Sequence, residues 1–362
     1  MKRRSIFTAA MTALLFTTLF GAGSSKSTTT INTKWQNLFK YVKPYNFSGG
    51  LAPIATDRGW GLIDKKGKIV IAPVYKNIPS DFYSEGIFCL AKYDKAKQHD
   101  VFIFANNKGI AITSETFDDY KLFSEGLAAV RKDGKAGYID KQGKVVIDYQ
   151  FATAGSFHEG FAPVWRNGRK GHVDFINKEG KIVFETEFDS STGFSGGLAM
   201  VKILKNKNRY GFINKEGKLV IDTEYDGAND FSDGLAPVAR NGKWGYINTE
   251  GRVIVDFQYE SASIFREGLA LVKKNGKYGF IDKMGNIVID LQYESCDWFS
   301  DGLTPAKKDG KFGFIDKNNK TVIDFQFIRA WSFQDGLARF ESETEWGFID
   351  KKGNIIMTFQ KK

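Results

Sequence analysis

The chain has 362 residues, a formal net charge of +10 and 15% aromatic residues. Its 38 glycines exclude a mainly helical protein, because a glycine inside a helix costs about 1 kcal/mol. The two cysteines, Cys89 and Cys296, fall in the second and eighth of the repeated units described below, which are not neighbours in an open array or in a ring. We therefore expect no disulfide, which needs Cα atoms within about 7 Å. We expect two unpaired, mostly buried thiols.

The N-terminus has the pattern of a secretory signal peptide. Basic residues at 2–4 precede an apolar run over 6–20, and small residues follow up to Gly23. An apolar run of about 15 residues is short for a membrane span. We therefore predict an exported protein (periplasmic, cell-surface or extracellular) without a membrane span. The predicted segments are a signal peptide over 1–23, a polar spacer over 24–37 and an array over 38–362.

One phrase then recurs nine times: an aromatic residue, two small or polar residues, a glycine and an apolar pair. The nine copies, numbered 1 to 9 below, begin at Phe47, Tyr83, Phe123, Phe157, Phe194, Phe231, Phe265, Phe299 and Phe333. The last four phrase glycines are 34 residues apart, and the earlier spacings run from 34 to 40. Such a period predicts one small unit repeated in tandem.

Copy 6 shows the unit most clearly. Three runs rich in β-branched and aromatic residues, at 235–240, 244–247 and 252–259, predict three strands joined by two hairpins. Asn241-Gly242 suits a type I′ turn, whose two central residues both need a positive φ. In the second turn of each copy, an Asp or Asn side chain can close the loop and the glycine can adopt the left-handed conformation.

The middle strand of most copies opens with an aromatic residue followed by glycine. These pairs are Trp60-Gly61, Tyr210-Gly211, Trp244-Gly245, Tyr278-Gly279, Phe312-Gly313 and Trp346-Gly347. A glycine inside a strand is favoured where another group approaches the backbone closely. We predict that a ring from the neighbouring copy packs over it. The alternative is a ligand-binding ladder, but the exchange of Trp, Tyr and Phe favours packing.

The combined pattern FSxGLA…NGKWGYIxxxG…VI, over about residues 45 to 360, resembles the WG-repeat (KWG-repeat) family of bacterial proteins. The resemblance implies an exported or multidomain bacterial protein, and it brings no established chemistry. Copy 2 departs from the pattern because it lacks the aromatic-glycine pair.

We predict an all-β fold: a tandem array of about nine three-stranded antiparallel units. The segment 38–41 resembles an additional third strand, while 354–359 already supplies that strand to the last unit. The termini would thus duplicate each other, and nine units exceed the usual propeller of up to about eight blades. These observations favour an open, twisted or superhelical array, with a β-propeller as the alternative.

No catalytic, cofactor or metal site is predicted, and we do not expect an enzyme. His99, His158 and His172 lie in three different copies, without a second ligand at metal spacing. An acidic residue precedes the phrase glycine in seven copies: Glu85, Glu125, Glu159, Asp233, Glu267, Asp301 and Asp335. We expect it to accept backbone N–H bonds in its own loop; the alternative is a strip that binds cations or sugar hydroxyls.

Three tryptophans outside the aromatic-glycine pair, Trp165, Trp298 and Trp331, are the candidate ligand-binding residues. Trp298 and Trp331 fall in loops that lead into the phrase, and neighbouring copies should bring such loops onto one edge. Exposed rings there could stack on sugars or anchor a protein. The alternative is that these rings pack under their own loops.

The sequence favours a non-enzymatic binding or scaffold protein with a protein partner of unknown identity. The alternative is a module that binds cell-wall or envelope glycans through exposed Trp and Lys residues. Without the three basic residues of the predicted signal, the net charge falls from +10 to +7 (10 − 3). Lysines and acids alternate on the predicted turns, as on a solvated surface, so we expect no nucleic-acid partner.

Overall fold

The computed structural model of the protein describes residues 38–79, 81–166, 171–204 and 209–361. The predicted signal peptide (1–23) and spacer (24–37) lie outside the described residues. Within the described part of the chain, 34 antiparallel strands form eight sheets. Over the same described residues, the structure contains no helix with the length and apolarity that a membrane crossing needs.

The strands follow the nine copies in chain order. Copies 1 to 3 contain β1 (Val42–Pro44), β2 (Leu51–Thr56), β3 (Gly59–Asp64), β4 (Ile69–Tyr75), β5 (Tyr83–Ser84), β6 (Ile87–Asp94), β7 (His99–Asn106), β8 (Asp119–Tyr120), β9 (Leu127–Lys132), β10 (Lys135–Asp140) and β11 (Val145–Ala154). Copies 4 to 6 contain β12 (Ala162–Arg166), β13 (Asp174–Ile176), β14 (Ile182–Glu185), β15 (Ser190–Ser195), β16 (Leu198–Ile203), β17 (Arg209–Ile213), β18 (Leu219–Tyr225), β19 (Gly227–Ala228), β20 (Leu235–Arg240), β21 (Lys243–Asn248) and β22 (Val253–Tyr259). Copies 7 to 9 contain β23 (Ser261–Ala262), β24 (Ala270–Lys274), β25 (Lys277–Ile281), β26 (Ile287–Tyr293), β27 (Ser295–Cys296), β28 (Leu303–Lys308), β29 (Lys311–Asp316), β30 (Thr321–Phe327), β31 (Arg329–Ala330), β32 (Ala338–Glu341), β33 (Glu345–Ile349) and β34 (Ile355–Gln360).

Most copies form one sheet of four strands, which we call A, B, C and D in chain order. B, C and D are the three predicted strands, so the tandem all-β architecture is confirmed. Strand A, often only two residues as in Gly227–Ala228, precedes the phrase and pairs with B. The long β11 serves as D of copy 3 and as A of copy 4, which joins these copies in a seven-stranded sheet. Copy 2 forms a sheet of three strands.

Both predicted turns are confirmed. Asn241 and Gly242 have φ values of 53° and 74°, as a type I′ turn requires. In the second turn of copy 1, Asp64 Oδ1 accepts the N–H groups of Lys66 and Lys68 at 2.9 and 2.8 Å. Gly67 in that turn has a φ of 74°. The phrase itself is a third tight turn, because its acidic residue and its glycine both have positive φ, 53° and 87° in copy 3.

The prediction for the aromatic-glycine pair was wrong about the group that approaches the glycine. A Cβ on Gly245 would lie 2.5 Å from the carbonyl oxygen of Val255, which belongs to strand D of the same copy. Strand D bulges there, since Trp244 pairs with Tyr259 while Tyr246 pairs with Val255. The glycine therefore admits a bulge of its own sheet, and no ring from a neighbouring copy is needed.

Burial differs between the inner and outer strands of a copy. In copy 6, strand B is buried from Leu235 to Ala239, which indicates cover on both faces. Strand D of that copy alternates toward its end, with Val255 and Tyr259 buried and the residues between them more exposed. Each sheet is therefore packed between its two neighbours, and strand D lies at the exposed rim.

The contact between copies is made by the phrase ring. Phe299 of copy 8 packs on Phe280 of copy 7, with ring centroids 4.7 Å apart and planes at 60°. Both rings are buried. The same edge-on or tilted contact joins most successive copies, through the pairs Phe104–Phe123, Tyr138–Phe157, Phe175–Phe194, Phe212–Phe231, Tyr246–Phe265 and Phe314–Phe333.

The first and last copies are joined in the same way, which corrects the expectation of an open array. Phe47 of copy 1 packs on Phe348 of copy 9 at 4.7 Å and 61°, and the two copies share one hydrophobic cluster. Residues 38–41 do not form the duplicate strand that we expected; copy 1 instead begins with strand A at Val42. The copies therefore close into a ring by face-to-face packing, without a strand shared between the termini. We call the junction of copies 9 and 1 the seam.

The two cysteines are unpaired, as predicted. Cys89 is buried and Cys296 is half-buried. Burial raises the pKa of both thiols above the usual range, so neither is a reactive thiolate at neutral pH.

Candidate functional site

The seam borders a cavity of about 490 Å³. Its lining comes from four successive copies: Trp331, Gln334 and Arg339 of copy 9, Tyr45, Asn46, Ser48, Pro53 and Trp60 of copy 1, Asn77, Ile78, Pro79, Asp81, Phe82 and Tyr83 from the end of copy 1 and the start of copy 2, and Leu122 at the start of copy 3. Copies 9 and 3 are not neighbours, so the cavity lies toward the inner side of the ring, where copies converge. Its volume is within the range of small-molecule sites. We call it the seam cavity.

Arg339 is a buried cation in the wall of this cavity. Its side chain is only 7% exposed, and its Nη1 donates to the carbonyl oxygen of Pro44 at 2.8 Å. Its Nε is buried without a hydrogen-bond partner, and among the described residues no carboxylate forms an ion pair with it. Burial lowers the pKa of this guanidinium to about 10, so it remains charged at neutral pH. Glu341 attracts this cation from beyond ion-pair distance, and a buried charge without a direct partner is costly unless another group satisfies it.

Asn46 contributes a second unsatisfied atom. Its Oδ1 is buried and accepts no hydrogen bond in the structure. The cavity wall thus contains a spare donor on Arg339 and a spare acceptor on Asn46, and the amides of Asn77 and Gln334 lie in the same wall. Most buried polar groups in proteins are hydrogen-bonded, so two such atoms beside one cavity suggest that a ligand supplies the missing partners.

Aromatic rings form the rest of the wall. The guanidinium of Arg339 lies over the ring of Trp331 at 3.5 Å and near the ring of Tyr45 at 5.3 Å. Tyr45 also contacts Trp60, with ring centroids 4.7 Å apart. The guanidinium is therefore held in place by aromatic rings on the cavity wall and by its bond to Pro44.

The three candidate tryptophans lie in different surroundings. Trp165 is half-buried in strand B of copy 4, packs against the cluster between copies 4 and 5, and donates from Nε1 to Asp189 O at 3.1 Å. Trp298 is 40% exposed and lies under the guanidinium of Arg266 at 4.5 Å. Trp331 is in the wall of the seam cavity.

The loops that contain Trp298 and Trp331 meet, as expected for neighbouring copies. Ser332 Oγ donates to Asp297 Oδ2 at 2.7 Å, which connects the loop of copy 9 with that of copy 8. Of the two rings, only that of Trp331 lines the cavity. Ligand binding by any of the three remains a prediction.

The acidic residue of the phrase connects copies, where we expected it to act within its own loop. Glu125 of copy 3 accepts the N–H of Gly160 in copy 4 at 3.1 Å and forms an ion pair with Lys178 of copy 4 at 3.1 Å. Burial acts to raise the pKa of Glu125, but the Lys178 ammonium and the Gly160 N–H outweigh it and lower that pKa. We call this set of contacts the clasp.

The clasp recurs at several junctions, including the seam. Further acid-to-glycine bonds are Glu85–Gly126, Glu159–Gly197, Glu267–Gly302 and Asp301–Gly336. At the seam, Asp335 accepts the N–H of Gly50 at 2.7 Å, and Lys65 donates to the carbonyl oxygen of Asp335. The acids therefore serve the assembly of the ring, and the same contact closes it.

Arg339 is not among the predicted site residues, although the sequence carries a signal for it. The corresponding position, the third residue after the phrase glycine, is small or apolar in the eight other copies: Pro53, Cys89, Ala129, Pro163, Met200, Pro237, Leu271 and Pro305. An arginine inside a buried strand breaks that pattern.

The histidines remain separate from the seam cavity. His99 lies 3.7 Å from Asp118, and His158 occupies the serine position of the phrase in copy 4. Over the described ranges, no three His, Cys, Asp or Glu residues come close enough to hold a metal ion.

A family model described as WG containing repeat matches the chain nine times, over residues 60–95, 104–135, 137–169, 175–207, 210–244, 244–278, 278–312, 312–343 and 346–360. These matches cover most of the chain and begin at the aromatic-glycine pair in the copies that have one. No curated protein matches the sequence.

Among solved structures, the chain is similar to the crystal structure of the eukaryotic initiation factor, with a TM-score of 0.57 and 11% identity over 87% of this chain and 89% of that chain. Dihydro-heme d1 dehydrogenase NirN in complex with DHE matches with a TM-score of 0.44 and 11% identity over 79% and 76% of the two chains. Kluyveromyces lactis Hsv2p matches with a TM-score of 0.38 and 9% identity over 64% and 89%. At these identities the first likeness shows the fold alone, and the structural neighbours are β-propeller-like.

Proposed function

This chain belongs to the family of proteins built from the WG containing repeat, and we propose that it is a non-enzymatic binding protein whose ligand site is the seam cavity. One observation carries the proposal: Arg339 and Asn46 place a buried donor and a buried acceptor, both without partners, in the wall of one cavity. A ligand that pairs with them would remove the cost of leaving them unsatisfied.

The position of the cavity supports this choice. Eight junctions join successive copies, and the seam joins the last copy to the first, so a residue at the seam can differ from the repeat without changing the other junctions. Arg339 and Gln334 both depart from the residue types that most other copies have at their positions. Function in a repeat protein is expected where the repeat is broken, since the common positions are fixed by packing.

We further propose that the protein is exported and does not catalyse a reaction. The proposal of export rests on the basic and apolar pattern of residues 1–23. The proposal that the protein is not an enzyme rests on the composition of the cavity wall. Among its described residues the wall contains one carboxylate, Asp81, and no histidine or cysteine that could act with it as an acid, base or nucleophile.

The proposal is tested by replacing one ring of the cavity and one ring outside it. Trp331→Ala should abolish binding of a ligand found by screening a library of sugars and peptides, while Trp298→Ala should leave that binding unchanged. Binding is measured by calorimetry, and folding of both variants by circular dichroism. Loss of binding in Trp298→Ala with retention in Trp331→Ala would place the site elsewhere.

A scaffold role toward a protein partner is a second candidate, and a separate observation favours it. Strand D of six copies presents an aliphatic residue at the same position, between 38% and 46% exposed: Val146, Val183, Val220, Ile254, Val288 and Val322. These side chains form a repeated apolar belt on the rim of the ring. Such a belt suits a protein partner with a repeated or extended surface.

The belt and the cavity can be tested separately. Val220→Lys together with Ile254→Lys should remove capture of a protein partner from an extract and should leave ligand binding in the cavity unchanged. Trp331→Ala should have the opposite pattern. Capture that survives both lysines would exclude the belt as the binding surface.

A further inference from the structure

Going beyond the location of the site, and resting on the function proposed above, we propose that the seam cavity binds an acidic sugar, a saccharide that carries a carboxylate. Three features of the cavity wall specify this ligand: a guanidinium for the carboxylate, amide groups for hydroxyls and aromatic rings for the face of a sugar ring.

The guanidinium of Arg339 selects a planar anion. Its Nη1 donates to the carbonyl oxygen of Pro44, its Nε has no partner, and its central carbon lies over the Trp331 ring, 3.5 Å from the ring centroid. A guanidinium held on an aromatic face presents its N–H edge in a fixed direction, which matches the two oxygens of a carboxylate. Among the described residues no carboxylate forms a direct ion pair with this cation: Glu341 attracts it from a greater distance and Asp81 lies elsewhere in the same wall, so a ligand carboxylate would be its first direct ion-pair partner.

The amide groups select hydroxyls. Asn46 Oδ1 needs a donor, and the wall also carries the amides of Asn77 and Gln334 and the hydroxyl of Ser48. A sugar hydroxyl both donates and accepts, and a sugar ring carries several of them in different directions. The carboxyl end of a peptide offers one carboxylate and few N–H groups, so it would leave more of these polar groups without partners.

The aromatic rings select a flat, partly apolar face. Tyr45, Trp60 and Trp331 come from the two copies that meet at the seam, and all line the cavity. The C–H face of a pyranose ring can stack on such rings while its hydroxyls point to the amides. The volume of about 490 Å³ has room for a small saccharide.

The test compares acidic sugars with their neutral counterparts on the full-length mature protein. Glucuronate and galacturonate, and oligosaccharides of each, are titrated against glucose, galactose and their oligosaccharides in a calorimeter. We expect at least one acidic sugar to bind about 10-fold or more tightly than its neutral counterpart, the size expected of a hydrogen bond to a charged group.

Arg339→Met is the matched variant, because Met200 occupies the corresponding position of copy 5 and the fold already accepts methionine there. This variant should lose the preference for the acidic sugar and keep the circular dichroism spectrum of the parent. Asn46→Asp provides a second variant, since a carboxylate at this position would repel the ligand carboxylate; it should weaken binding of the acidic sugar more than binding of the neutral one.

The possible failures can be told apart. Equal binding of acidic and neutral sugars would overturn the proposal that the ligand is acidic and would leave the proposed binding function in place. Preferential binding of a peptide with a free carboxyl end, if it is lost in Arg339→Met, would overturn the proposal of a sugar ligand. The seam cavity would then remain the binding site. No binding of any sugar or peptide, with the parent protein folded, would overturn both proposals.

Discussion

The seam and the junction of copies 7 and 8 are built from the same contacts and differ in what surrounds those contacts. Phe47 packs on Phe348 at 4.7 Å and 61°, and Phe299 packs on Phe280 at 4.7 Å and 60°. The clasp is also present at both, with Asp335 bonded to Gly50 at the seam and Glu267 bonded to Gly302 in copy 8. The seam therefore carries the same structural contacts as an internal junction.

The difference lies beside these contacts. Where copy 9 places Arg339 in strand B, copy 7 places Leu271, and the cavity lies next to the arginine. The phrase rings and the clasp close the ring without the cavity wall, and Arg339 adds a further bond across the seam, to Pro44 of copy 1. Because the ring contact and the clasp are kept at the seam, the repeat can be broken at Arg339 while the ring stays closed.

The largest expected effect tests whether the seam is a true junction. Phe47→Ala and Phe299→Ala should each lower the free energy of unfolding by about 3–5 kcal/mol, because each removes a buried ring from an equivalent contact. The measurement is chemical unfolding followed by fluorescence. A much smaller cost for Phe47→Ala than for Phe299→Ala would mean that copies 9 and 1 separate in solution.

A smaller effect is expected inside the copies, where a copy at the seam and a copy far from it should lose the same stability. Gly61→Ala in copy 1 and Gly245→Ala in copy 6 should each cost about 3 kcal/mol, because the new Cβ would meet a strand D carbonyl oxygen at 2.5 Å. Gly234→Ala is the control: no atom lies within 4 Å of the Cβ position, and the positive φ of 86° should cost about 1 kcal/mol. Equal costs at Gly245 and Gly234 would contradict the bulge as the reason for the glycine.

The smallest effect concerns pH and the clasps of internal junctions. The pKa of Glu85, Glu125 and Glu159 is lowered from the ordinary 4.5, since lysine and glycine N–H contacts outweigh the opposing effect of burial. These carboxylates bind fewer protons in the folded than in the unfolded chain. Their contribution to stability is present above about pH 4.5 and is lost as the pH falls through the lowered pKa values.

Glu125→Gln should therefore reduce the loss of stability between neutral pH and pH 3, as measured by unfolding at a series of pH values. At neutral pH its cost should stay below about 1 kcal/mol, because Glu125 and Lys178 are both partly exposed. Glu179→Gln is the control, since Glu179 is exposed in a turn. The clasp would be excluded as a source of acid sensitivity if both variants kept the parent pH profile.

The parts of the fold that depend on local chemistry could be predicted from the sequence. The turns follow from Asn-Gly pairs and Asx residues such as Asp64, and strands B to D follow from their β-branched runs. Strand A was missed because two residues such as Gly227–Ala228 carry no periodicity. The partner of the middle-strand glycine was missed because a bulge depends on how strand D pairs, and a single strand does not show this.

Closure and the candidate site depend on contacts between residues almost 300 positions apart. Arg339 and Pro44 are far apart in the chain, and no local pattern indicates that they meet. The assumption that a ring needs a strand shared by both termini led to the expectation of an open array. The exception at Arg339 was visible in an alignment of the copies, but its meaning depends on the cavity beside it.

Because β1 and β34 contact each other at the seam without belonging to one sheet, the covalent break in the ring is not tied to one position. A linker between residues 42 and 360 would allow new termini to be opened in any turn between two copies, giving circularly permuted proteins that keep all nine face-to-face contacts. Permutants of this kind could also carry a fused domain at a chosen point of the rim, with the seam cavity intact.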